Sequence, residues 1–354
     1  MAPKQQRPKQ QRIDATRSVD PRNVNGRNAD ADKTVRTKTG GRGKSGNPAA
    51  RRYDAVKKAT LADWIDGSRV RTLPLSISPV IVGTGAAIVA SEPGVYHPVR
   101  ALLCLIVSVA LQIGVNFAND YSDGIRGTDD NRVGPQRLVG SGKASAKAVL
   151  TVALVFFGIA AVAGLVLTVV SGLWWLLIVG AAALVAAWFY TGGKRPYGYN
   201  ALGEVFVFVF FGLVATLGTT FVQVYQLNQE AWFGAIAVGF MATAALVVNN
   251  LRDIEQDRMS GKRTLSVLIG ATATRVLYIV LMLVPFVIAG VLALFYPAAW
   301  FAMFVLLAAL PACIITATAR TPRELILVLK LTGVAQLFYA IALFVAFWLY
   351  SGGQ

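Results

Sequence analysis

Nine apolar runs of 18–25 residues divide most of this chain, at approximately 72–90, 101–118, 147–170, 173–190, 201–224, 231–251, 274–295, 298–318 and 326–350. A helix needs about 20 apolar residues to cross a bilayer. In lipid every backbone polar group must find a partner inside its own segment or a closed barrel. Runs of this length and number therefore predict an all-α membrane protein of nine transmembrane helices. Composition agrees: 55% of the 354 residues are hydrophobic and 15% charged, where soluble domains carry about 25% charged residues. Cys104 and Cys313 both lie inside apolar runs, far apart in sequence, which excludes a disulfide scaffold and a cysteine metal site. The single histidine, His97, sits in a short polar link, so neither a Ser-His-Asp triad nor His-ligated zinc is expected.

Ahead of the runs, residues 1–58 are rich in Lys, Arg, Gln, Asn, Gly and Pro. Such a segment buries too little apolar surface to offset its ordering entropy and is expected to be a disordered tail, with the membrane domain over 59–354. Residues 1–60 hold 16 Lys/Arg against 5 Asp, so +11 of the chain's +16 lies there. No apolar core of signal-peptide length interrupts the tail. Its GGRGKSG stretch has Lys38 where a phosphate loop requires glycine, and no strand or helix follows. A basic tail facing anionic lipid is the expectation, not nucleic-acid binding. Thr60 is placed to cap a short amphipathic helix, LADWIDGSRVR, with Trp64 at the interface. With the tail in the cytoplasm, the inner loops are 119–147, 191–200, 251–273 and 319–325. These loops and their flanks collect nearly all remaining Lys and Arg, against Arg100 alone outside. The positive-inside rule then gives a cytoplasmic N-terminus, an odd number of spans and an outer C-terminus.

The first inner loop opens on an acidic cluster. If the second run continues as helix, Asn116, Asp120 and Asp123 stand at i, i+4 and i+7 and share a face. At the end of the sixth run, Asn249, Asp253 and Asp257 stand at i, i+4 and i+8. Arg132 and Arg137 follow the first cluster; Arg252 adjoins the second, with Lys262 and Arg263 beyond it. Charges in a membrane helix cost several kcal/mol each, roughly 2.5–3.5 at the helix centre, and persist when something neutralises them. Oxygen-only clusters suit Mg²⁺, which bridges to phosphate oxygens, while Lys and Arg bind those oxygens directly. Two such clusters read as a diphosphate clamp holding one or two Mg²⁺ ions. Interfacial salt bridging is the plainer account of either cluster alone.

The third loop adds Tyr190, Lys194 and Arg195 in YTGGKR, and Glu204 opens the Phe-rich fifth run. By themselves Lys194 and Arg195 are topology determinants. Phe206, Phe208, Phe210 and Phe211 are expected to face lipid or neighbouring helices rather than a substrate tunnel.

Five motifs in this order, NDYSDGIRGTDD (119–130), GPQRLVGSG (134–142), YTGGK (190–194), ALGE (201–204) and NNLRDIEQDRMSGKRTLSV (249–267), resemble the UbiA superfamily of intramembrane aromatic prenyltransferases. Within it the likeness is to the branch that prenylates 1,4-dihydroxy-2-naphthoate in menaquinone synthesis, of actinobacterial type, and covers about residues 60–350. The resemblance implies a nine-helix UbiA-type bundle around a central cavity, in a bacterial cell membrane, with a lateral opening for a lipid tail. It implies transfer of a polyprenyl group from polyprenyl diphosphate to 1,4-dihydroxy-2-naphthoate with decarboxylation. Carried onto this chain, it implies Mg²⁺ at Asn116, Asp120, Asp123, Asp253 and Asp257, with Tyr190 beside the reacting centre. Arg132, Arg137, Lys194, Arg195, Asn249, Arg252, Lys262 and Glu204 are the substrate-binding candidates. Where the broad superfamily has a further acid four residues beyond Asp123, this chain has Gly127. Another acceptor on the same scaffold is the alternative. From a different class, a cation transporter also pairs acids between helices, but near the bilayer midplane.

Overall fold

A computed structural model describes residues 58–91, 97–127 and 137–352, and every regular element among these is helical. The basic tail through residue 57, Asp129, Asp130 and Arg132 lie outside the described residues.

Helix α1 (Leu61–Ser68) is started by a capping box. The Thr60 amide donates to Asp63 Oδ2 at 2.8 Å, and the Asp63 amide donates to Thr60 Oγ1 at 3.3 Å. Arg69, in the left-handed region at φ 56°, ends α1; a 3₁₀ turn (Val70–Thr72) and Pro74 then launch α2 (Pro74–Ala90), bent 47° from what precedes it. Helix α3 (Pro98–Arg126) runs unbroken from the apolar stretch into the acidic one, as the shared-face reading requires. Next come α4 (Ala146–Ser171), capped by Ser145 and ended by Gly172, and α5 (Leu176–Phe189). Helix α6 (Gly203–Val224) carries a π-helical stretch at Phe208–Val214. Helix α7 (Gln229–Arg252) breaks at Asp253 before the short α8 (Ile254–Met259). Finally come α9 (Leu265–Ala293), kinked at Gly270, α10 (Pro297–Thr318), which begins as 3₁₀, and α11 (Glu324–Gly352).

All nine expected apolar runs form helices, but nine full spans are not what the described residues give. Seven helices are long and apolar enough to cross, or eight if α1 and α2 count as one bent span. The remaining run loses its first residues to the turn after Gly172, leaving α5 at 14 residues. At 1.5 Å per residue that reaches about 21 Å, short of a 30 Å hydrocarbon core.

Helix α7 is the central element. The hydrophobic window of α7 is 72% buried, against 28–50% for the other spans. Its buried residues are mostly small, including Ala231, Gly234, Ala235, Gly239 and Ala242, which lets neighbours approach closely in the absence of a water-driven hydrophobic force. A methyl group on Gly212 of α6 would sit 2.6 Å from Gly239 Cα, so two helices touch there backbone to backbone. Tyr278 and Thr332 share a hydrogen bond of 2.7 Å, and Tyr339 donates to Pro285 O at 2.6 Å, tying α9 to α11. Away from the acidic cluster, Arg100 near the start of α3 donates to Val222 O at 2.9 Å and Val170 O at 3.3 Å. This fixes α4 and α6 at the end of the bundle opposite Asp123.

Candidate active site

Asp123 is the point where three separate loops meet. Its buried carboxylate accepts from Arg137, from the hydroxyl of Tyr199, and from Lys262 Nζ at 3.1 Å. Lys262 Nζ also stands 4.4 Å from the centre of the Tyr199 ring, and the Arg126 guanidinium 5.3 Å from it. The Arg263 amide donates to Tyr199 O at 2.9 Å. Burial, and then the negative charge of Asp123, push the Tyr199 phenol above its ordinary range, so it stays protonated and donates. Arg126, the last residue of α3, clamps the 190–200 loop through Thr191 O and Gly193 O, both at 2.5 Å.

Asp120, expected in the metal set, is placed elsewhere. Its oxygens accept from the backbone amides of Leu138 at 2.8 Å and Val139 at 3.1 Å, and it does not line the main cavity. The loop it holds carries Arg137, which also donates to Asn119 O at 2.9 Å. A methyl group on Gly124 would collide with Val139, so the loop lies directly on α3. From the other side Lys143 pairs with Asp63 at 2.6 Å, and the Ala59 amide donates to Lys143 O at 3.0 Å. Asn116 lines the cavity but donates through Nδ2 to Ser68 O at 2.9 Å, joining α3 to the end of α1.

The second cluster occupies the break between α7 and α8. Buried Arg252 grips Asp253 through Nε at 2.7 Å and Nη2 at 2.5 Å, and reaches Asn249 Oδ1 at 2.9 Å. Asp257 receives Thr264 Oγ1 at 3.4 Å, and its carbonyl accepts the Lys262 amide at 2.9 Å. The turn that positions Lys262 is therefore built on the second cluster, while its ammonium reaches the first.

Both clusters line one cavity of about 860 Å³. Asp123, Arg137, Asp253, Asp257 and Lys262 stand at one end, and Trp175, Phe221, Val222 and Trp232 at the other, so the cavity follows the whole length of α6. Tyr190 lines it and meets Tyr197 edge-on at 5.5 Å; Tyr197 stacks on Phe206 at 4.0 Å, and Phe206 on Phe210 at 6.0 Å. Phe206, Phe210 and Phe211 thus form a wall of the cavity, contrary to the expectation that they face lipid or neighbouring helices. Phe208 alone of the four turns away, stacking on Phe240. Glu204 is buried outside the cavity lining, accepting from Asn250 Nδ2 at 2.9 Å. Lys194 and Arg195 are exposed and do not line the cavity.

Among the lining residues that the sequence reading did not single out are Asn119 and Tyr199. Asn119, whose Oδ1 accepts from Thr191 Oγ1 at 2.7 Å, stands four residues before Asp123, a spacing that was available as a signal. Tyr199 lies in a three-residue 3₁₀ turn, where no periodicity marks a face.

Charged groups gathered at one end of a long apolar cavity, inside a helical bundle, define an intramembrane site for a molecule with an anionic head and a hydrocarbon tail. Residues 76–325 match the UbiA prenyltransferase family, and the chain belongs to that family. It is 48% identical over 284 residues to the 1,4-dihydroxy-2-naphthoate octaprenyltransferase of Mycobacterium tuberculosis, covering 80% of this chain and 96% of the relative. To the Escherichia coli protein of the same name it is 38% identical over 218 residues, covering 60% of this chain and 70% of that one. Among solved structures, a UbiA homolog from Archaeoglobus fulgidus bound to DMAPP and Mg²⁺ shares the fold, with a TM-score of 0.57 at 13% identity, over 80% of this chain and 99% of the other. The protein is a multi-pass membrane protein.

Proposed function

We propose that this protein transfers a polyprenyl group from polyprenyl diphosphate to 1,4-dihydroxy-2-naphthoate, with loss of CO₂, giving demethylmenaquinol, the reduced form of demethylmenaquinone. The observation that carries the reading is Lys262. Anchored on the second acidic cluster, it reaches Asp123 of the first at 3.1 Å across the polar mouth of an apolar cavity. Relatives at up to 48% identity named for octaprenyl transfer to this naphthoate support the acceptor and donor classes.

The donor set suits Mg²⁺. Asp123, Asp253, Asp257, Asn249 and Gln256 offer only oxygen ligands at the cavity's polar end. Among the described residues no three His, Cys, Asp or Glu side chains gather, so an Mg²⁺ ion there would be held by one or two carboxylates and would depend on phosphate and water for its other ligands. When bound there, Mg²⁺ neutralises the charge that develops on the departing diphosphate. Arg137 and Lys262, which rest on Asp123, are in place to turn to the diphosphate oxygens and stabilise the same charge. The apolar wall takes the polyprenyl chain and excludes water from the allylic carbon. Tyr190 and Tyr197 present ring faces or edges within the site, where attraction to a desolvated cation is worth about 2 kcal/mol. As the allylic carbon–oxygen bond breaks and diphosphate leaves, the ring carbon that bears the carboxylate forms the new bond, and loss of that carboxylate as CO₂ restores aromaticity. The acidic loops and N-terminus are assigned to the cytoplasm from charge bias.

The test uses membranes carrying wild type, Asp123→Asn or Asp253→Asn, supplied with polyprenyl diphosphate, naphthoate and Mg²⁺, with products read by mass spectrometry. Wild-type turnover in either variant would sink the two-cluster clamp, and prenylation of a benzoquinone precursor in place of the naphthoate would sink the acceptor.

A further inference from the structure

Glu204 is a buried carboxyl group that takes no part in the clamp. It is the second residue of α6 and does not line the cavity, so it touches neither substrate. A carboxyl group inside a membrane protein is costly and persists where it has a task. Its partner shows the task. Glu204 Oε1 accepts from Asn250 Nδ2 of α7 at 2.9 Å. Asn250 does line the cavity, although only 8% of its surface is exposed.

This bond fixes a side chain that could otherwise face two ways. The asparagine amide has a donor end and an acceptor end of nearly equal shape. Glu204 takes the donor end, which turns the carbonyl oxygen, Oδ1, away from it. Among the described residues no group donates to Oδ1. Nor is that oxygen sealed into the packing, as the unpartnered oxygens of Gln223 and Gln336 are. It opens on the cavity as a hydrogen-bond acceptor.

The place is chemically specific. Asn250 lies between Leu246, one turn back, and Asp253, three residues on, where the apolar wall meets the polar end. Tyr190 borders the same spot: a methyl group on Gly203 would sit 3.3 Å from the Leu246 side chain and 3.7 Å from Tyr190 Oη. The allylic carbon joins diphosphate to hydrocarbon tail, so it lies at that boundary, and the attacking ring lies with it.

We propose that Asn250 Oδ1 accepts a hydrogen bond from the ring hydroxyl next to the reacting carbon of the aromatic acceptor, and that Glu204 is the positioning residue that turns it there. The proposal rests on the acceptor class assigned above. As the ring carbon attacks, positive charge spreads onto the oxygen of the neighbouring hydroxyl. Its O–H becomes a stronger donor, so the bond to Oδ1 strengthens in the transition state, where it speeds the reaction. The hydroxyl keeps its proton throughout. The ring recovers its electron pair from the carbon–carbon bond broken as CO₂ leaves, so Asn250 need not act as a base.

The experiment uses the full-length protein in lipid nanodiscs with polyprenyl diphosphate and Mg²⁺. It compares 1,4-dihydroxy-2-naphthoate with its 1-O-methyl ether, which has no proton to donate at that oxygen. Asn250→Ala is expected to lower kcat/KM for the naphthoate about tenfold, the net worth of one hydrogen bond. KM for polyprenyl diphosphate and the rate with the ether should both stay within about twofold. Glu204→Met, similar in size but without an acceptor oxygen, is expected to show the same pattern. Glu204→Gln, whose amide oxygen accepts the same bond, is expected to recover most of the loss. The double variant of Glu204→Met with Asn250→Ala should be no worse than Asn250→Ala alone, and Asn250→Ala supplies the measurement if Glu204→Met fails to fold. Wild-type kcat/KM in Asn250→Ala overturns the proposal, as do equal losses with the naphthoate and its ether, or a loss confined to the KM of polyprenyl diphosphate. Glu204→Gln as impaired as Glu204→Met overturns the positioning role. Absence of naphthoate prenylation by the wild type instead overturns the proposed function.

Discussion

Replacing Asp120 by asparagine separates two roles that one carboxylate in an acidic motif can play. In the structure both its oxygens receive backbone amides, from Leu138 at 2.8 Å and Val139 at 3.1 Å. Asparagine keeps one acceptor oxygen and turns an NH₂ toward the other amide, so at least one hydrogen bond to a charged group is lost. Each such bond is worth about 1.5–3 kcal/mol net, equivalent to about 10- to 150-fold in an equilibrium. The cost falls on the loop that delivers Arg137, and hence on binding of the diphosphate. Initial rates in nanodiscs, first against polyprenyl diphosphate and then against Mg²⁺, should show KM for the diphosphate raised by about tenfold or more. The Mg²⁺ concentration for half-activation should stay within about twofold. The double variant with Arg137→Ala should be little worse than Arg137→Ala alone, because both act through one contact. A Mg²⁺ requirement raised about tenfold with an ordinary diphosphate KM would refute the reasoning and make Asp120 a metal ligand.

Chelation with EDTA should abolish turnover and added Mg²⁺ restore it; undiminished turnover in EDTA would remove the metal from the scheme. Lys262→Ala should raise KM for polyprenyl diphosphate by about tenfold or more, whereas Lys194→Ala, exposed and outside the cavity, should stay within about twofold; the reverse order would mean that the diphosphate lies on the outer side of the 190–200 loop. Gly212→Val should destabilise the bundle by about 1–3 kcal/mol through overpacking against Gly239, read as a lower melting temperature in detergent, and an unchanged melt would show that α6 can shift away from α7. Because the Tyr199 phenol is pushed above its ordinary value near 10, its ionisation contributes no alkaline limb below about pH 10. Tyr199→Phe should therefore lower activity by a pH-independent factor there, and a change in the shape of the profile below that pH would show that the hydroxyl titrates.

Much of this arrangement was legible in the chain because lipid leaves few choices. Each apolar run became a helix, Ser171-Gly172 became a turn, and the Asn116–Asp123 stretch stayed helical because nothing in it breaks a helix. The pairing of the two acidic clusters around one cavity followed from their polarity and common side. Partners were harder to read. A carboxylate that faces the cavity and one that holds two backbone amides look alike at i, i+3 spacing, so the sequence does not separate Asp120 from Asp123. Lys194 entered the candidate set through the YTGGK motif, while Tyr199, in a 3₁₀ turn, carries no pattern that marks it. The phenylalanines of α6 could not be sorted by face from the sequence, because the π-helical stretch displaces side chains from the positions that a 3.6-residue period predicts.

That stretch ties the calibre of the cavity to a count of residues. A π-turn holds one residue more than an α-turn, and each residue of an ordinary helix advances by about 100°. Deleting any single residue between Phe208 and Val214 would let the helix relax and swing the Phe206–Phe210 side of the wall relative to Thr219 and Phe221 by about that angle. The far half would then face a different neighbour. A chain one residue shorter in this segment would therefore line the far half of the cavity with other side chains and give a hydrocarbon tail a differently shaped space.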